Sequence, residues 1–165
     1  MTPTQSPRVA ELIRQLGLIA HPEGGYYAVV FRSVSVVAPA DGRANRPALT
    51  TIYFLLPEGA FSRWHRVWSD EVWHFYEGAP LDLLQLSADL ASLVRVRLGP
   101  LTGDQSPVHT VHAGNWQAAR TTGAYTLVGC TVGPGFDFQD FTMLSDAPDE
   151  ALKARTTWPE AAGLL

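Results

Sequence analysis

Cysteine occurs once in the 165 residues, at Cys130, so no intrachain disulfide can form and a disulfide-stapled scaffold is excluded. Positive charge is scarce as well. Twelve Lys plus Arg stand against 16 Asp plus Glu, a net charge of −4 and the wrong sign for a domain whose main contacts are phosphates. No nucleic-acid partner is expected. There is no apolar run long enough to cross a bilayer, and the opening MTPTQSPRVAELIRQ lacks the apolar stretch of a signal peptide. Together with the lone cysteine in the apolar run Tyr125 to Val132, read as a buried structural thiol, this gives the expectation of a cytoplasmic protein with no membrane partner. What the chain does have is 46% hydrophobic and 10% aromatic residues, enough for a packed core. At this length about 70% of the unfolded surface should be buried on folding, and one domain is expected.

Only the start reads clearly as helix. Ser6 is placed to cap, Pro7 suits the first turn, Val9, Leu12, Ile13 and Leu16 recur at helical spacing, and Gly17 stops the run. From Tyr26 onward short apolar or alternating runs rich in Val, Thr, Tyr, Phe and Trp are separated by Gly, Pro, Asp and Asn clusters. Strands are predicted near Tyr26–Val37, Leu49–Leu56, Phe61–Val67, Glu71–Tyr76, Leu81–Leu86, Leu93–Leu98, His109–Val111, Trp116–Arg120, Tyr125–Val132 and Phe136–Phe141. With no helical pattern between them, they argue against a parallel α/β sheet and for an all-β sandwich or barrel. Pro39–Pro47 reads as a floppy loop and Asp146–Leu152 as a terminal helix. The expected organisation is an N-terminal helical segment over 1–20, a β-barrel over 21–144 and a C-terminal tail over 145–165.

The informative stretch runs from Gly59 to Gly78. Gly59, His65, Glu71 and Gly78 fall on the spacing of the first signature of the cupin superfamily, which this stretch resembles; Val67 stands where a second histidine belongs. Residues two apart on a strand share a face, so His65 and position 67 should both point inward. A tight antiparallel turn at Trp68–Asp70 should then bring Glu71 to the same point. The second, weaker signature is matched only at Gly114, and Gln117 occupies its histidine position. His21-Pro-Glu-Gly-Gly-Tyr-Tyr27, Thr50–Leu56, Ser69–Tyr76 and Gly135–Phe141 resemble the markers of one small cupin family of unknown biochemical function. Ala28-Val29-Val30-Phe31, in place of that family's Arg-Glu-Thr-Tyr, and His112, in place of a proline, depart from it.

The resemblance implies a cupin-type double-stranded β-helix, a jelly-roll barrel, that is usually a homodimer, with a small-molecule pocket inside and no settled reaction. It also implies what a metal would need. Of four usual ligand positions this chain keeps two, so if a divalent metal binds, its ligands would be His65, Glu71 and Gln117, an incomplete set because an amide oxygen is a poor substitute for imidazole.

The candidate ligand-binding residues are Tyr53, His65, Glu71, Trp73, His74 and Gln117. A carboxylate heading the apolar run Glu71-Val-Trp-His-Phe-Tyr76 suggests an inward charge with a partner, and His65 is the expected one. Strict alternation from Glu71 puts His74 on the other face, unless a bulge turns it inward. Trp64, Trp68, Trp73 and Trp116 read as core residues, with Trp73 also able to stack on a flat ligand. The His21–Tyr27 word precedes a strand rather than a helix, so it reads as a structural turn and not as a phosphate cradle. His109 and His112 read as exposed loop residues, and Arg95 and Arg97 as the solvated face of a strand.

The expected function is therefore binding of a small polar or flat molecule inside the barrel. The alternative is a sugar epimerase or isomerase-like enzyme, metal-free or weakly metal-dependent, in which His65 acts as general base and Glu71 orients it. A homodimer is expected from the family resemblance and from the apolar first strand, Tyr26–Val30.

Overall fold

The computed structural model describes residues 6–165, so the first five residues of the N-terminal segment lie outside the described residues. Helix α1 spans Pro7–Leu16 and ends at Gly17, whose φ of 63° is the left-handed conformation that glycine adopts without penalty. Ser6 stands at the cap position without a side-chain hydrogen bond; its carbonyl accepts from the N–H groups of Val9 and Ala10.

Among the described residues thirteen strands follow: β1 Ile19–Ala20, β2 Tyr26–Arg32, β3 Val36–Val37, β4 Arg46–Pro47, β5 Thr50–Pro57, β6 Phe61–Val67, β7 Asp70–Gly78, β8 Leu81–Leu86, β9 Leu93–Leu98, β10 Val108–Val111, β11 Trp116–Thr121, β12 Tyr125–Gly133 and β13 Phe141–Met143. Six form one sheet in the order β1-β2-β5-β12-β7-β10, and five form a second in the order β13-β6-β11-β8-β9. Every pairing within them is antiparallel. The two sheets face each other and enclose a barrel interior, which is the all-β architecture expected from the sequence.

Alternation decides what fills that interior. On β5, Phe54 and Leu56 join Trp73, Leu83, Val111 and Val128 inside the barrel, while Leu55 points out to meet Val9 and Leu12 of α1. On β8, Leu81 and Leu83 point in; Leu84 and Leu86 point out and are buried by the C-terminal segment. Helix α2, Pro148–Thr157, and the 3-10 turn Pro159–Leu164 cover this second outer face. The indole N–H of Trp64 donates to the carbonyl of Ala161 at 2.8 Å. The C-terminal tail, 145–165, thus packs as a layer on the barrel.

Three segments differ from expectation. Tyr26–Val37 is not one strand, because β2 ends at Arg32 and Val36–Val37 pairs separately with β4. Phe136–Phe141 is not a strand. Asp137 accepts from the N–H of Gln139 and starts a 3-10 turn, Phe138–Asp140, before β13 begins. Pro39–Pro47 is not floppy throughout, because Val36 and Val37 pair with Pro47 and Arg46. Arg46 then grips Asp140 with two bonds, at 2.8 and 2.9 Å, and Arg43 adds a third at 2.8 Å. The loop is stapled to the turn it covers.

Candidate functional site

A cavity of about 260 Å³ opens within the barrel, lined by side chains from both sheets and by the two irregular segments, 21–25 and 136–141. β6 contributes His65 and Val67, which share a face two residues apart as the pleat requires. Glu71 from β7 also lines it. These strands belong to different sheets, so the bend at Trp68 and Ser69 is a corner between opposite walls and not the tight hairpin that the spacing suggested. His65 and Glu71 therefore reach one cavity from two sides.

The partner expected for His65 was Glu71. The structure assigns it to Glu23, whose carboxylate oxygen lies 3.1 Å from His65 Nε2. The other ring nitrogen, Nδ1, lies 2.7 Å from the carbonyl of Arg63, an acceptor, so Nδ1 carries the proton and Nε2 presents a lone pair to Glu23. Burial lowers the His65 pKa and raises that of Glu23, which favours one arrangement: a protonated Glu23 donating to a neutral imidazole. Ser62 Oγ donates to the second Glu23 oxygen at 2.8 Å and holds the carboxyl in place.

Glu71 has a separate support. Gln117 Nε2 donates to one of its oxygens at 2.5 Å, while the Gln117 carbonyl accepts from the Trp73 indole at 2.9 Å. Trp73 and Gln117 thus orient Glu71 from behind; neither lines the cavity. The Cys130 thiol lies beside Glu71 and burial pushes it well up, so it stays a neutral thiol. Burial likewise raises the Glu71 pKa, with His65 pulling the other way.

The residues missed from sequence come from the turn read as merely structural. Gly24 and Gly25 adopt φ of 114° and 70°, and a Cβ on Gly24 would run into the carbonyl of Phe61. This close approach lays the turn on β6, where the N–H of Arg63 donates to the Glu23 carbonyl at 2.9 Å. His21 follows: its Nδ1 accepts from the Glu23 N–H at 3.2 Å, its ring packs edge-on to Tyr27 at 4.6 Å, and burial lowers its pKa. The paired glycines were the available signal, since they mark a place where one backbone must touch another.

Other expected ligand contacts fall elsewhere. Tyr53 faces outward, with its ring 6.0 Å from that of Tyr76 and its packing against the α1 cluster. His74 is half-buried, pairs with Gly129 and Val108, and does not line the cavity. A register shift does occur on β7, but it lies beyond His74, between Phe75 and Glu77, and leaves the alternation from Glu71 intact. Of the tryptophans, Trp64 and Trp116 are buried, and Trp68 is exposed and covers Gly114. His109 is half-buried on β10 near Gln85 rather than in a loop, while His112 is exposed.

The metal ligands that the cupin resemblance implies would come from positions 65, 67, 71 and 117. Val67 has none to give, the Gln117 carbonyl is taken by Trp73, and His65 faces Glu23. Among the described residues no group of three or more His, Cys, Asp or Glu side chains is arranged to hold a metal ion. The set His65, Glu71 and Gln117 does not fit a divalent cation.

Two antiparallel sheets rolled around an internal cavity, with an inward histidine and glutamate at opposite walls, define a double-stranded β-helix barrel. The chain belongs to the cupin superfamily family DUF985, whose model matches residues 10–144. It is similar to a hypothetical protein from Leishmania major, at 31% identity over 94% of each chain with a TM-score of 0.82. A Shewanella oneidensis protein matches at 31% identity over 93% of this chain and 92% of that one, with a TM-score of 0.78. The barrel alone is shared with a cupin 2 conserved barrel domain protein from Rhodopseudomonas palustris, at 15% identity over 89% and 84% of the two chains and a TM-score of 0.57. No curated protein is similar enough to match.

Proposed function

We propose that the barrel cavity binds a small flat or polar molecule, and that His65, Glu23 and Glu71 are its polar contacts. The observation that carries this is their burial: these ionisable side chains, only 3, 6 and 7% exposed, are aimed into one cavity among apolar walls. Burying ionisable groups is costly, and nothing in barrel packing requires three of them. The cavity exceeds the ~150 Å³ that admits a benzene ring in an engineered protein core. The test is thermal unfolding of the purified protein against a panel of small flat polar compounds. A compound at 100 times its Kd should stabilise the wild type by about 2.7 kcal/mol, and Glu71→Gln should abolish that gain. Undiminished stabilisation of the variant would remove Glu71 from the site.

A second reading, a metal-free isomerase or epimerase, is favoured by the Glu23–His65 pair. The Glu23–His65 pair holds a proton between Oε2 and Nε2 that it can deliver, and Glu71, when ionised, can take one from the opposite wall. Two proton-handling groups facing one cavity suit proton removal and return beside a carbonyl.

The protein is further proposed to be a cytoplasmic homodimer. Its single cysteine is buried, and among the described residues no helix is long and apolar enough to cross a membrane. Beyond its short pairing with β1, the outer edge of β2 is open and carries Val29, Val30 and Phe31, 63, 49 and 51% exposed, a template for a second copy. Sedimentation at micromolar concentration should give twice the 18.0 kDa chain mass, and Val30→Lys should shift it towards the monomer. A wild type that sediments as a monomer refutes the dimer.

A further inference from the structure

We infer that the cavity is built for a flat nitrogenous cation, of the amidine or aminoheterocycle kind, and against carboxylated or phosphorylated ligands. This rests on the cavity being a binding site and adds which chemistry it selects.

The first ground is the sign of the charged groups. Glu23, Glu71 and Asp137 line the cavity as acids. Arg32 is the one arginine among the lining residues, and it lies exposed at the rim with its guanidinium directed to the carbonyl of Phe136 at 3.4 Å. An anion taken to the deep end would meet two buried carboxyl groups and no lysine or arginine, and burial lowers the pKa of the two histidines there, His21 and His65.

The second ground is how the hydrogen bonds are spent. Gln117 gives its amide to Glu71, His65 gives its Nδ1 proton to Arg63, and Ser62 gives its hydroxyl to Glu23. Among the described residues Gln117 is the only nitrogen donor that bonds Glu71, and it serves one of the two oxygens. The Cys130 thiol is its other, weak donor, so a ligand N–H reaching the 93% buried Glu71 from the cavity displaces only a weak bond.

The third ground is the wall. Phe136, Phe138 and Phe141 stand at steep angles to one another, 83, 71 and 68° between ring planes, with centroids 5.0 to 6.1 Å apart. Tyr27 and Phe54 add two further rings. Phe138 is 55% exposed at the mouth and Phe141 already stacks on His65 at 5.3 Å, so these rings form a partly open aromatic rim of the kind that attracts a cation. Burial raises the pKa of both glutamates, and a cation seated beside either one favours its ionised form.

Benzamidine, benzamide and benzoate share one ring and nearly one shape and differ in charge, so their binding to the full-length protein, measured by calorimetry, tests the inference. Benzamidine should bind at least ten-fold more tightly than benzoate, with benzamide between them, and Glu71→Gln should cost benzamidine about ten-fold. Benzoate or benzamide binding as tightly as benzamidine would overturn the inference and leave the cavity a binding site for some other class. Failure of all three to bind would overturn the inference, while a stabilising compound from the panel above would still leave the cavity a binding site.

Discussion

Trp64→Ala should lower the unfolding free energy by about 3–5 kcal/mol, the range for deleting a fully buried aromatic. For a domain of this size that corresponds to a fall in Tm of roughly 6–20 °C. Trp64 is 1% exposed and packs with Leu84, Leu86, Trp116 and Leu144 on the outer face of the second sheet. Its indole also donates to the Ala161 carbonyl, so the substitution removes both the filling of this layer and a tether to the C-terminal segment. Trp64→Phe keeps much of the volume and loses the tether, and should cost about 1–2 kcal/mol. Denaturant unfolding followed by circular dichroism measures both. A loss below 1 kcal/mol for the alanine variant would mean that the terminal layer holds on without Trp64.

Asp140→Ala should cost about 3 kcal/mol, the lower end of the range for removing one partner from a buried ion pair. Asp140 is 3% exposed and takes all three bonds from Arg46 and Arg43, so its removal strands Arg46, which is 5% exposed. The lower end applies because the Arg43 side chain is partly solvated. Asp140 also sits one residue before Phe141 of the cavity wall, so the variant should weaken ligand binding along with stability. The side-chain hydrogen bond from Arg46 holds the Asp140 carboxyl below its ordinary value of 3.8. A lowered folded pKa means that the unfolded chain takes up the proton first as pH falls. The stabilisation is therefore complete at neutral pH and disappears below pH 3.8, as the pH drops through the folded value. A wild type and Asp140→Ala pair that differ as much at pH 2 as at pH 7 would contradict this account.

Much of the barrel was legible because its strands alternate cleanly. Phe61–Val67, Leu81–Leu86 and Leu93–Leu98 end where turn residues interrupt the pattern, and structure and sequence agree on their limits. Phe136–Phe141 misled because its aromatic spacing imitates a strand, whereas the Asp137 side chain satisfies a backbone N–H locally and turns the chain. Pro39–Pro47 misled because its composition is that of a loop; the arginines that anchor it find their acid 94 residues away or more, beyond any local pattern. In the cavity, His65 and Glu71 were legible by spacing. The Glu23 partner was not, because the contact joins a turn to a strand about 40 residues on and depends on two glycines whose role is close approach.

The acid and the base of the closest pair are carried by different parts of the architecture. His65 belongs to a long strand that the barrel cannot form without, but Glu23 rides on a two-glycine bend ahead of the first long strand. A shortened or permuted version designed to keep only the long strands could close, pack and resist heat while its imidazole faced an empty position. For engineers of this scaffold, thermal robustness is therefore a poor proxy for retained chemistry, and the bend at 21–25 has to be preserved as part of the cavity.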